Sequence, residues 1–466
     1  MNDKNVWKNS NQKKVKEIDT FAKKYIDFIS DCKTERECCD EAVNRLEAAG
    51  YVELEKAIKA GKKLKAGDKI YTTQMNKSVA AFIIGKEGME AGLNILGAHI
   101  DSPRMDVKQN PLYESDGLAY LDTHYYGGIK KYQWVTLPLA LHGVVVKKDG
   151  SIVEINIGED PEDPVFFVSD LLIHLAADQM DKKASKVIEG EDLDIFVGNI
   201  PLKDTKDEEK KEAVKANILK LLEMQYGIEE GDFESAEIEV VPAGRAREAG
   251  FDRSLILGYG HDDRVCAFPS LMALLETKNP KRTSCCILVD KEEIGSVGAT
   301  GMQSHFFVNA VAEILNLCGE YSDLVLRRCL ANSYMLSSDV TAAFDPLYAD
   351  KFEKRNTSFL GNGPGFCKYT GSRGKYDSND ANAEYMAHIR KLMDDAGVIY
   401  QTSELGKVDV GGGGTIAYIL ALYGMNVIDC GVAVLNMHAP WEAISKADLY
   451  SAYEGYKVFL DKAGIF

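Results

Sequence analysis

Five stretches of this chain place an apolar run directly before side chains that can bind a metal or move a proton. Cys285 to Val289 has the length of a buried strand and gives way to Asp290, Lys291, Glu292 and Glu293, with glycines at 295, 298 and 301. The other four are Gly97-Ala-His99-Ile-Asp101, Gly260-His261-Asp262-Asp263-Arg264, Leu336-Ser-Ser-Asp339 and Leu435-Asn-Met-His438-Ala-Pro440. A buried strand that delivers carboxylates at its carboxyl end stands where open α/β sheets bind their ligands. Alone, each fragment reads as readily as a cap or turn, and Glu292-Glu293 as a solvated acidic turn. Together they offer two histidines and several carboxylates, a nitrogen and oxygen donor set suited to zinc, with manganese or cobalt as substitutes. Two metals sharing one carboxylate would use five ligands and keep positions open for water. His99 and Asp101, two residues apart, fall on one side of an extended strand end, so Asp101 can orient the imidazole. Glu292 and Glu293 point to opposite sides of an extended backbone, so one could bind metal while the other handles protons.

Strands alternating with helices would position those groups, and the sequence carries that alternation. Strand-like apolar runs fall at 78–85, 93–98, 255–259, 285–289, 334–338 and 427–434. Two amphipathic helices fill 11–50, the first with Ile18, Phe21, Tyr25, Phe28 and Ile29 at helical spacing. Further helices are predicted at 263–277, 305–319, 380–396, 414–423 and 446–461. The alternation argues for an α/β fold with a mostly parallel sheet, and in a doubly wound sheet the strand ends converge on one crevice. Between these parts the texture changes: 104–150 is rich in β-formers, Gly and Tyr, 152–157 alternates like a half-buried strand, and 168–180 and 203–224 read as helical. The simplest organisation is one α/β domain from 1–103 and 250–466, interrupted by an inserted β-rich domain at 104–249.

Composition excludes some partners. Lys plus Arg number 55 against 72 Asp plus Glu, a formal net charge of −17, so the chain lacks the basic footprint that nucleic acid or an anionic membrane needs. The ten cysteines include no Cys-x-x-Cys pair and sit mostly in apolar runs, which reads as buried, reduced thiols in a cytoplasmic protein. The N-terminus is polar, without a signal-peptide core, and no apolar run approaches the roughly 18 residues of a membrane span.

The order His99-x-Asp101, Asp262-Asp263, Glu292-Glu293, Asp339, His438 resembles that of the co-catalytic dinuclear zinc aminopeptidases. Gly97-Ala-His-Ile-Asp-Ser-Pro103, Asp290-Lys-Glu-Glu-Ile-Gly-Ser296, Ser337-Ser-Asp-Val340 and Met437-His438 are similar to stretches of the aspartyl aminopeptidase and vacuolar aminopeptidase I family, and the resemblance runs nearly end to end. It implies a zinc-exopeptidase type of α/β fold whose insert is a dimerisation domain, with dimers assembling into a homo-oligomer as large as a dodecamer. It implies two zinc ions per chain: His99 and Asp339 on one, Glu293 and His438 on the other, Asp262 bridging through a cis peptide to Asp263. Asp101 would orient His99, and Glu292 would be the general base that activates water to remove the N-terminal residue, Asp or Glu among the expected choices, from peptide substrates. His174 matches a family histidine that reaches a neighbouring subunit's active site; its plainer reading is a core histidine on an amphipathic helix. Lys368 resembles a lysine near the substrate pocket. The chain departs from the aspartyl enzymes at Val410-Gly-Gly-Gly-Gly414-Thr415-Ile-Ala417, where they carry Pro-Cys-Gly before Thr-Ile-Gly-Pro, which bears on acidic against neutral preference. The competing expectations are a related zinc deacylase or carboxypeptidase, and a non-catalytic metal-binding assembly protein. The sequence carries no Gly-x-Ser-x-Gly nucleophile elbow.

Overall fold

The computed structural model describes residues 4–203 and 211–464. Its residue contacts divide the chain into two compact units: one holds the chain up to Ser102, Ala246–Met437 and Glu442 onward, the other Pro103–Arg245 with His438–Trp441.

The first unit is a mixed α/β structure. Its larger sheet has nine strands in the order Val52–Glu53, Lys69–Gln74, Ser78–Ile83, Thr283–Val289, Leu93–His99, Tyr334–Ser337, Asn426–Gly431, Gly365–Cys367 and Gln401–Ser403. Four consecutive strands at its centre, from Thr283–Val289 to Asn426–Gly431, run parallel. Strand side chains alternate between faces, and here both faces are buried. Leu96 and Ala98 enter one core with helices Gln12–Asp31, Glu35–Ala48, His261–Glu276, Ala383–Ala396 and Lys446–Lys462. Leu93 and Ile95 enter a second core with helices Leu54–Lys59, Phe306–Cys318, Asp323–Ala331 and Ala417–Ala421. That double burial is why these strands read as continuous apolar runs. Ile18, Phe21, Tyr25, Phe28 and Ile29 are all buried on helix Gln12–Asp31, whose first turn is capped by Asn11. The next helix opens on a Thr34–Glu37 capping box.

The run at 427–434 is two strands, not one: Asn426–Gly431 lies in the nine-stranded sheet and Ala433–Leu435 in a separate five-stranded sheet with Arg247–Ala249, Leu255–Gly258, Glu442–Ser445 and Thr341–Ala342. The strand before Asp262 therefore belongs to the smaller sheet, where Leu255–Gly258 is antiparallel to both neighbours.

The second unit is built on a seven-stranded antiparallel sheet, with helix Ala213–Tyr226 after the segment 204–210, which lies outside the described residues. The helix expected at 168–180 does not form. Phe167–Val168 is a strand, Ile173–Leu175 a single tight turn and Ala177–Met180 one helical turn. His174 is accordingly an exposed side chain rather than a core histidine. All ten cysteines are free thiols, nine of them buried. Among the described residues no helix is long and apolar enough to cross a membrane.

Candidate metal centre

Parallel pairing brings three strand ends to one edge. His99 pairs with Val289, and the Ile100 N–H continues the ladder to the Val289 carbonyl at 2.8 Å. On the other side Ser337 pairs with Gly97, and the Ser338 N–H reaches the Gly97 carbonyl at 2.6 Å. The residues that follow, Asp101, Asp290–Glu293 and Asp339, therefore leave the sheet side by side. Gly431 makes room beside them, because a Cβ there would run into the backbone carbonyl of Asp339.

Asp262 arrives from the smaller sheet at the start of helix His261–Glu276. Gly260, at φ 75°, supplies the left-handed turn, and a Cβ on it would collide with Arg264 and Ser102. Asp262 itself is not helical (φ −78°, ψ 109°), and the Asp262–Asp263 peptide is cis, as the resemblance implied. His261 is engaged elsewhere: its Nδ1 lies 2.8 Å from the Tyr25 hydroxyl, and burial pushes its pKa down to about 3.

His99, Asp262 and Asp339 each offer a ligand atom, all within 4.8 Å of one another; His99, Glu292 and Glu293 do the same. His99 Nε2 stands 3.1 Å from Asp262 Oδ1 and 3.9 Å from Glu292 Oε2. Its Nδ1 is 2.9 Å from the Asp101 carbonyl and 3.3 Å from Asp101 Oδ1. The Asp101 carboxylate also accepts the backbone N–H groups of Glu292 and Glu293, each at 3.2 Å, on separate oxygens. This contact overturns the expectation for the glutamate pair. Lys291 is left-handed (φ 69°), Glu292–Ile294 is a tight turn rather than extended backbone, and both carboxylates face the His99 group instead of opposite sides. Glu292 keeps 15% side-chain exposure, so water can reach it.

The electrostatics call for a cation. Burial, then the charges of Glu292 and Asp263, push the Asp339 carboxyl well above the usual carboxylate range. Burial works to lower the His99 pKa, but hydrogen bonds to Asp101 and Asp262 and the charge of Glu292 outweigh it and hold the imidazole well above its ordinary value. Both shifts belong to a site with more negative charge than its protein surroundings neutralise, and a divalent ion in an imidazole and carboxylate donor set fits that need.

Lys368, just past strand Gly365–Cys367, is exposed and paired with Asp380 at 2.6 Å, and Lys375 shares that carboxylate at 2.8 Å. His438 falls in the segment that groups with the second unit, where its Nδ1 is 2.9 Å from the Gly128 carbonyl. With Nδ1–H donating there, Nε2 is the nitrogen that carries the lone pair. The sequence reading missed Asp429, buried on strand Asn426–Gly431, whose Oδ1 accepts from the Thr415 hydroxyl at 2.6 Å and whose pKa burial pushes up to about 7. Its signal was a lone acid inside an apolar run. It also missed Glu442, a buried acid at the head of strand Glu442–Ser445.

The family model described as Aminopeptidase I zinc metalloprotease (M18) matches residues 28–460. A Clostridium acetobutylicum protein named Probable M18 family aminopeptidase 1 is 60% identical over 458 residues, covering 98% of each chain. The crystal structure of an M18-family aminopeptidase from Thermotoga maritima matches with a TM-score of 0.93 at 47% identity, over 99% of this chain and 100% of that one. The S. cerevisiae mApe1 dodecamer has the same fold, with a TM-score of 0.76 at 21% identity over 94% of this chain and 96% of that one. These likenesses bear out the resemblance read from the motifs: the chain belongs to the aminopeptidase I zinc metalloprotease family, M18, whose members are zinc-dependent hydrolases acting on peptides.

Proposed function

We propose that this protein is a dinuclear zinc aminopeptidase that removes the N-terminal residue from peptides, with His99 and Asp339 on one zinc, Glu293 and His438 on the other, and Asp262 between them. The observation that carries the reading is the convergence of His99, Asp262 and Asp339, with Glu292 and Glu293 turned to the same imidazole. The Nδ1 hydrogen bonds of His99 and His438 to backbone carbonyls leave Nε2 as the ligating nitrogen of each, the usual support of a metal-bound histidine. When bound, the zinc pair supplies Lewis acidity that lowers the pKa of an attacking water and polarises the scissile carbonyl.

The chain's own groups do the rest. Asp101 fixes the His99 ring and, through two backbone N–H groups, the pose of Glu292 and Glu293. Glu292 is the general base: it takes a proton from the attacking water and returns it to the leaving amine. The fold is of the doubly wound, mostly parallel exopeptidase type, with 1–103 and 250–466 as the catalytic domain and 104–249 as the dimerisation domain of a cytoplasmic homo-oligomer, up to a dodecamer. Leu171, Leu172, Ile173 and Leu175, exposed by 47, 54, 69 and 68%, support a covered surface around His174, which would reach a neighbouring subunit's site. Lys368 would meet an acidic N-terminal side chain, as the family resemblance implies, and its Asp380 partner argues that neutral residues are also accepted.

The test is metal content and turnover on one preparation, before and after chelation, with aminoacyl chromogenic substrates and N-blocked peptides. The expected result is two zincs per chain, chelator-sensitive release of free-amine substrates and no cleavage of blocked ones. Cleavage of blocked peptides would move the protein to the deacylases or carboxypeptidases, and full metal occupancy without turnover would make it an assembly protein.

A further inference from the structure

We infer that Glu442 and Ser102 are positioning residues for the Asp262 carboxylate, acting through its backbone. The inference rests on the reading of Asp262 as the shared metal ligand. A shared carboxylate must aim both oxygens in fixed directions, so the peptide that carries it has to be pinned. Asp262 lacks helical dihedrals, so the first turn of its own helix does not fix it. Two side chains from elsewhere do. Ser102 Oγ, from the chain just past strand Leu93–His99, donates to the Asp262 carbonyl at 2.6 Å. The Asp262 N–H donates to Glu442 Oε2 at 3.1 Å. Glu442 opens strand Glu442–Ser445 and pairs with Gly258, four residues before Asp262.

Both clamps are fully enclosed: Ser102 is 0% exposed and Glu442 1%. An enclosed carboxylate is costly unless it is hydrogen-bonded. The residues that follow it in the strand, Ala443 and Ile444, are buried apolar groups. What an apolar residue could not do is accept the Asp262 N–H. With Asp262 held on both sides of its Cα, at its N–H and at its carbonyl, the side chain projects Oδ1 to 3.1 Å from His99 Nε2. Released on either side, the residue can turn and carry the carboxylate off that line.

The test is zinc affinity of the full chain, measured by competition with a chelating indicator, alongside the melting temperature of the metal-free protein. Glu442→Ala and Ser102→Ala should each bind zinc about 10- to 100-fold more weakly, the usual loss when a group that orients a metal ligand is removed. Glu442→Gln keeps an oxygen acceptor at the same place and should bind zinc like the wild type. A merely structural role would lower the metal-free melting temperature of the alanine variants and leave zinc affinity alone, and that result overturns the inference. So does an equal loss in Glu442→Gln, which would assign the effect to charge rather than to the hydrogen bond. If Glu442→Ala does not fold, Ser102→Ala and Glu442→Gln decide. Asp262→Asn is the separate control: wild-type zinc affinity there would overturn the shared-ligand reading itself.

Discussion

Asp101→Asn isolates what holds the candidate centre together. The carboxylate makes three contacts at once: one oxygen each for the N–H groups of Glu292 and Glu293 at 3.2 Å, and Oδ1 at 3.3 Å from His99 Nδ1. Asparagine has the same shape but one accepting oxygen. One of the two backbone N–H groups must then face an NH2, and leaving a buried donor unpaired costs about 1–3 kcal/mol. At about 1.4 kcal/mol per factor of ten, that is roughly a 5- to 150-fold loss if it falls wholly on preorganisation of the centre. The assay is zinc affinity by chelator competition together with kcat/KM for a free-amine substrate. Both should fall by that order, because the same turn carries Glu292 and Glu293. Unchanged zinc affinity and unchanged kcat/KM would refute the reasoning, since Asp101 would then be a passive occupant of the turn.

Three further outcomes follow from the same geometry. Glu292→Gln should keep its zinc by elemental analysis and lose about 10²- to 10⁴-fold in kcat, the range of a general base; loss of metal would exchange the roles of Glu292 and Glu293. Asp429 has a folded pKa of about 7, raised by burial from 3.8, so its contribution to stability is complete below the unfolded value and is lost as pH rises through 7. At 1.36 kcal/mol per pH unit the ionised form is disfavoured by roughly 4 kcal/mol. Asp429→Asn should therefore melt above the wild type at pH 8 and match it near pH 4, and a constant offset across that range would refute the assignment. Asp380→Asn removes the partner of Lys368 and should raise kcat/KM for N-terminal Asp relative to Leu substrates, while Lys368→Ala should do the reverse; equal effects on both substrates would take Lys368 out of the pocket.

The parts of the site that were legible in the sequence are those set by local geometry. His99 and Asp101 lie two residues apart at a strand end, and the period of a strand puts them together whatever the rest of the chain does. The glutamate pair was not legible in the same way. Its turn depends on Asp101, almost two hundred residues away, accepting two N–H groups, and an apolar run followed by acids carries no trace of that partner. Asp429 and Glu442 were overlooked for a related reason: each sits in or against an apolar run whose pattern announces a buried strand and hides one polar side chain. At 168–180 the apolar spacing was real but its meaning was inverted. Leu171, Leu172, Ile173 and Leu175 face outward, so their spacing gave no helix a core to pack on.

The proposed ligand set also accounts for the way the two sheets of the first unit are joined. The larger sheet supplies His99, Asp101, the glutamate pair and Asp339 from three adjacent parallel strands, and its helices cover both faces. Parallel strands end on the same side, so they can place one wall of a metal site but not an opposite one. Asp262 comes instead from the smaller sheet, and its backbone is tied to Glu442 in that sheet and to Ser102 next to the larger one. The chain changes sheets at Val432, between Asn426–Gly431 and Ala433–Leu435. A continuous strand at 427–434 would have kept Leu435 and the residues after it in the larger sheet. The break sends it into the smaller one, where Ala433–Leu435 pairs with the Glu442–Ser445 strand that holds the Asp262 N–H. The change of sheet thus gives the Glu442–Ser445 strand a neighbour on each side, Ala433–Leu435 on one and Leu255–Gly258, the strand that leads to Asp262, on the other.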